Sequence, residues 1–126
     1  MAFWILVCLG LYVFNVYLAG AMLFARIGLV TYTGPRDALP DDSKYRARAL
    51  KAANNFAESL PVFLALGLLA LIVPETDLAL AELGAMVFVL ARVVYIPVYV
   101  AGLPFIRSIV YSVGALGLIA MLIALL

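Results

Sequence analysis

Four apolar runs, each near the length needed to cross a bilayer, fill most of a chain of only 126 residues. A spanning helix needs about 20 mainly apolar residues. Ala2–Ala25 supplies one span, with Asn15 as its only strongly polar side chain. Gly34-Pro35, Pro40 and the aspartates Asp37, Asp41 and Asp42 then mark a loop. Ser59–Val73 is short alone and becomes a full span if its helix starts within Lys44–Asn55. Pro74–Asp77 reads as a tight turn with Asp77 as N-cap of the next helix. Leu78–Ala101 is the third span, Gly102–Pro104 breaks it, and Phe105–Leu126 is the fourth. Short connections between such helices imply an up-down bundle. The expected fold is an all-α integral membrane protein, a four-helix transmembrane bundle in one domain, residues 1–126.

Composition agrees. Hydrophobic residues make up 68% of the chain, against roughly 45–50% in a soluble domain. The first run has no Lys or Arg before it and exceeds the roughly 7–15 residues of a signal-peptide core, so it reads as a retained helix. A net charge of +1 offers no grip on nucleic acid. With no histidine and a single cysteine, Cys8, the chain excludes a Cys/His metal site, a Ser-His-Asp triad and an intramolecular disulfide.

The cations lie on one side. Arg26, Arg36, Lys44, Arg46, Arg48 and Lys51 flank the first loop and Arg107 the third, while the opposite side holds only Glu75, Asp77 and Glu82. The positive-inside rule places loops one and three in the cytoplasm and both termini outside.

Topology does not explain every polar group. Lys51, Asn55 and Glu58 follow i, i+4, i+7 spacing and share one helix face, with Arg48 a turn earlier and Pro61 just beyond. Arg92, Tyr95 and Tyr99 form a second stripe on the third helix. Arg92 lies about nine residues, about 14 Å, inside that span, and an arginine there faces protein or a water-filled cavity rather than lipid. Arg107 and Tyr111, with Ser108 between them, open the fourth helix, and Arg26 ends the first on the same side. Two readings follow. Glu58 pairs with Arg92 or Arg107 as bundle glue while the tyrosines form an interfacial belt. Alternatively, the surplus of cations over that one acid marks a site for an anionic ligand with more than one carboxylate.

The three stripes, K-x-x-x-N-x-x-E-x-x-P, R-x-x-Y-x-x-x-Y and R-S-x-x-Y in that order on helices two, three and four, resemble the MAPEG superfamily. That superfamily comprises membrane-associated proteins of eicosanoid and glutathione metabolism, including microsomal glutathione transferases, leukotriene C synthase and microsomal prostaglandin E synthase. The resemblance spans the whole chain. It implies a homotrimer that binds glutathione at subunit interfaces, bent into a U and open to the cytoplasmic side. Lys51, where the family more often has arginine, would hold a glutathione carboxylate or a nearby backbone group. Asn55 and Glu58 match the helix-two pair, Glu58 taking the γ-glutamyl ammonium. Arg92, Tyr95 and Tyr99 match the helix-three face, and Arg26 resembles the arginine that helps the glycyl carboxylate or the thiol. Arg48 and Tyr111, on the faces of the first and third stripes, complete the glutathione-binding set. Arg107 matches the thiolate-stabilising arginine, with Ser108 beside it as the rival for that catalytic role.

The implied activity is a glutathione-dependent transferase or peroxidase, without a metal, whose thiolate meets a lipophilic electrophile or hydroperoxide arriving from the bilayer. Asn54 stands where one branch carries a further arginine, and the absence of histidine argues against the prostaglandin-synthase branch. The short form resembles bacterial members, which points to a bacterial inner membrane. The competing reading is a non-catalytic membrane subunit or scaffold on the same fold, with the stripes as internal contacts. A small channel is disfavoured, because only Glu82 interrupts the apolar surface of the outer half.

Overall fold

The computed structural model describes residues 1–126 and contains four helices: α1 (Ala2–Thr33), α2 (Lys44–Ile72), α3 (Leu78–Ala101) and α4 (Pro104–Ile123). All four are long and apolar enough to cross a membrane. At 1.5 Å per residue even α4, the shortest, reaches about 30 Å, the thickness of the hydrocarbon layer. α2 and α3 form the middle of the bundle, α1 packs on both, and α4 packs mainly on α3. α1 and α4 do not meet, so the bundle is open along one side.

Local chemistry sets the helix ends. The Asp77 carboxylate accepts from the Leu80 amide at 3.0 Å and caps α3, as the sequence leads one to expect. Ser43 caps α2 in the same way, its hydroxyl oxygen accepting from the Arg46 amide at 3.2 Å. α3 stops at Gly102, which takes the left-handed conformation (φ 78°) that a β-carbon disfavours. Pro104 then starts α4 at a position where its missing N–H costs nothing.

The sequence reading and the structure part company after Ala25. The chain stays helical past Arg26 and reverses at Gly28, with φ 75° and ψ 173°, before a further short helical stretch to Thr33. The reversal lays Tyr32 back on the first helix: its ring meets Phe24 edge-on at 5.7 Å. The open loop is therefore shorter than Gly34-Pro35 and its flanking charges suggest. α2 begins at Lys44, at the early limit of the expected range, and runs through Pro61 as one helix.

The core is aromatic at its centre. Phe63 and Phe88 stack at 4.8 Å, and Phe56 meets Phe88 and Tyr12 edge-on. Each such pair contributes about 0.5–1.5 kcal/mol beyond burial. α3 and α4 approach so closely at Gly84 and Gly117 that a β-carbon on either would lie 2.6 Å from the other's carbonyl oxygen. Small residues that let backbones touch are a common device where lipid supplies no hydrophobic drive between helices. At the far end from the cations, Glu82 of α3 receives the Met1 ammonium and ties α1 to α3.

Candidate functional site

The cation-rich end of the bundle carries two adjoining recesses between α2, α3 and α4. Asn55, Tyr95, Tyr99, Arg107, Ser108, Tyr111 and Ser112 line the first, with a volume of about 330 Å³. Arg48, Lys51, Tyr99, Gly102, Leu103, Pro104 and Arg107 line the second, with about 240 Å³. Tyr99 and Arg107 belong to both, and the Arg107 guanidinium lies over the Tyr99 ring at 4.7 Å. This stacked pair separates a recess rich in hydroxyls from one rich in cations.

The geometry follows from how each helix enters the site. Gly102 ends α3 and Pro104 starts α4, so Arg107 sits one turn into α4, beside the last turn of α3 and Tyr99. Arg48 of α2 reaches this corner and donates to the Val100 carbonyl at 3.2 Å. Gly102 leaves room for it: a β-carbon there would lie 2.5 Å from the Arg48 guanidinium.

The Arg107 side chain makes no hydrogen bond and no ion pair within the chain, so its donors remain available to a ligand. Ser108 differs. Its hydroxyl donates to the Pro104 carbonyl at 3.1 Å, and Ser112 donates to the Ser108 carbonyl at 3.0 Å. Both hydroxyls therefore offer lone pairs to the recess while their protons stay on the helix backbone.

Arg92 is 4% exposed and lines neither recess. It stands behind Asn55, donating from Nη1 to Asn55 Oδ1 at 2.7 Å and from Nη2 to Ser59 Oγ at 2.8 Å. Its guanidinium lies 5.1–5.4 Å from the ring centres of Tyr95, Phe88, Phe56 and Tyr111. The sequence reading left Glu58 to pair with Arg92 or Arg107; the structure gives Arg92 to an amide, a hydroxyl and four rings. Glu58 is exposed and without an ion pair in the single chain.

The expected residues thus fall into three groups. Asn55, Tyr95, Tyr99, Arg107, Ser108 and Tyr111 converge on the first recess, and Arg48 and Lys51 join Tyr99 and Arg107 at the second. Arg92 is buried behind. Glu58 lies on the outer face of α2, and Arg26 lies elsewhere, donating to the Asp41 carbonyl and lining a separate groove with Met22, Ala25, Ser43, Tyr45 and Val100. Sequence reasoning passed over Ser59 and Ser112. Each follows a residue of interest by one helical turn, Asn55 and Ser108, and that i+4 spacing was the available signal.

No curated protein and no solved structure matches the chain. A model of the MAPEG family matches residues 1–126. Four membrane-length helices and a polar, cation-bearing pair of recesses at one end accord with that match over the full length, and the chain belongs to the MAPEG family.

Proposed function

We propose that this protein is a glutathione-dependent membrane transferase or peroxidase, working as a single four-helix unit that assembles as a homotrimer. MAPEG membership places it among membrane proteins of glutathione and eicosanoid metabolism. The observation that carries the finer reading is Arg107, a guanidinium with no hydrogen-bond or ion-pair partner in the chain, at the junction of a hydroxyl-lined and a cation-lined recess. Glutathione has two carboxylates, an ammonium and a thiol. Arg48 and Lys51 suit a carboxylate in the second recess, which sets the thiol toward Arg107.

A free thiol titrates near ~8.5, so only a few per cent is thiolate at neutral pH. A guanidinium against the sulfur favours the anion, and the proton leaves to water. The thiolate then forms a carbon–sulfur bond to an electrophile and expels its leaving group. With a hydroperoxide, two glutathiones supply two electrons, giving the alcohol, water and glutathione disulfide. The Ser108 hydroxyl already donates its hydrogen bond to the Pro104 carbonyl, which favours Arg107 over Ser108 as the donor to sulfur.

Glu58 supports the homotrimer. A carboxylate on the outer face of a membrane-spanning helix is costly against lipid, and a second copy over α2 would cover it. The positive-inside rule puts the recesses on the cytoplasmic side, in a bacterial inner membrane on the resemblance given above.

Calorimetric titration of detergent-purified protein with glutathione, with a thiolate absorbance difference spectrum, tests the reading. Binding with thiolate absorbance that Arg107→Ala removes is the expected result. Binding without thiolate keeps the ligand and removes the role given to Arg107. No binding at millimolar glutathione sinks the proposal in favour of a non-catalytic subunit.

A further inference from the structure

Asn55 is the only member of the first recess that is also hydrogen-bonded to a buried charge. A carboxamide has two faces of opposite character: its oxygen accepts and its nitrogen donates. Either face would enter the recess after a half-turn of the amide. Arg92 removes the choice. A guanidinium is a donor only, so the atom 2.7 Å from Nη1 must be the oxygen. The Asn55 NH₂ is then the face left for the recess.

Arg92 itself has little freedom. Four aromatic rings surround its guanidinium, and Nη2 is held by Ser59 Oγ, whose own hydroxyl donates back to the Phe56 carbonyl at 3.0 Å. The two prongs grip positions 55 and 59, one turn apart on α2. No carboxylate neutralises this charge. An ion-paired arginine would serve as bundle glue equally well, so the use of a neutral acceptor from the recess wall, Asn55, calls for a different account.

The geometry points to Arg92 as a positioning residue that locks Asn55 as a hydrogen-bond donor to the ligand, so that the first recess selects an acceptor group, a carboxylate or peptide carbonyl oxygen, at that point. This rests on the reading of the recess as a glutathione site. Arg92 touches no ligand; it acts through Asn55.

The decisive variant is Asn55→Asp. An aspartate gives Arg92 a full ion pair and leaves packing intact, but turns an acceptor oxygen toward the recess. We expect thermal stability equal to or above the parent, with glutathione affinity down about 10- to 100-fold, as loss of a hydrogen bond to a charged group implies. Arg92→Lys keeps the charge and loses the two-pronged grip, and is expected to weaken glutathione binding about tenfold. Parent-like glutathione affinity in Asn55→Asp overturns the donor assignment.

A double-mutant cycle between Arg92→Met and Asn55→Ala, read by thermal unfolding without ligand, separates the two proposals. Coupling in that cycle with no glutathione binding by the parent protein would end the glutathione reading and leave the Arg92–Asn55 lock standing. Additive effects would end the lock, whatever the ligand.

Discussion

The α3–α4 seam offers a sharp test, because one substitution, glycine to alanine, should have opposite effects at three places. At Gly117 a β-carbon would lie 2.6 Å from the Gly84 carbonyl oxygen and 2.8 Å from the Phe88 amide nitrogen. Carbon–oxygen contacts between packed helices settle near 3.3–3.6 Å, so the helices must part locally by about 0.7 Å. Both obstacles are backbone and cannot rotate away. Overpacking of this kind costs about 1–3 kcal/mol or more. At Gly114 the nearest atom to the added carbon is Ala91 Cβ at 3.4 Å, the near limit of an ordinary contact, and slight crowding there should offset the gain in helix propensity, leaving stability close to the parent. At Gly10 nothing lies within 4 Å, and replacing a helical glycine by alanine should stabilise by about 0.5–1 kcal/mol. Thermal unfolding of the three purified variants in one detergent should rank Gly10→Ala above the parent, Gly114→Ala near it and Gly117→Ala well below. A parent-like midpoint for Gly117→Ala would refute the close backbone approach and the packing of α4 built on it.

Other outcomes follow from the site. Arg107→Ala should lower the thiolate fraction of bound glutathione at least tenfold at neutral pH, read by ultraviolet difference absorbance, since a charge a few ångströms away is worth one or more pKa units. Ser108→Ala should change that fraction less than about threefold, because the Ser108 hydroxyl already donates to the Pro104 carbonyl; a loss as large as that of Arg107→Ala would reverse the two roles. Gly102→Ala combines a left-handed backbone with a β-carbon 2.5 Å from the Arg48 guanidinium. It should cost about 1–2 kcal/mol in thermal stability and weaken glutathione binding by displacing Arg48, both measurable on one preparation. Asp42→Ala should shift stability by less than about 1 kcal/mol, since it removes only the ion pair with Arg46 at the surface and leaves the Arg46 bond to the Ala19 carbonyl in place.

Much of the architecture was legible in the chain because lipid imposes a simple rule on it. The third span was readable from about Leu78 to Ala101, since an aspartate cap, a largely apolar run and a Gly-Leu-Pro stop are all local signals. The short apolar run of α2 was readable as a full span only by extending it back through its polar stripe, and Lys44 is where it starts. Gly28 was not readable. A lone glycine among helix formers does not announce that its φ will be 75° and that Tyr32 will fold back on Phe24.

The site divides along the same line. Helical spacing alone put Arg92, Tyr95 and Tyr99 on one face, and Arg107 beside Ser108 and Tyr111, because a helix of 3.6 residues per turn decides that before any packing occurs. Spacing cannot say which partner a face will meet. Only the packing of α2 on α3 brought Asn55 and Ser59 to Arg92, across 37 and 33 residues of chain. It turned an arginine that reads as a ligand contact into the group behind one, and it left Glu58, the carboxylate that charge balance would have assigned to it, on the outer face. Hydropathy determined where the chain crosses; the tertiary structure decided which polar groups each crossing satisfies.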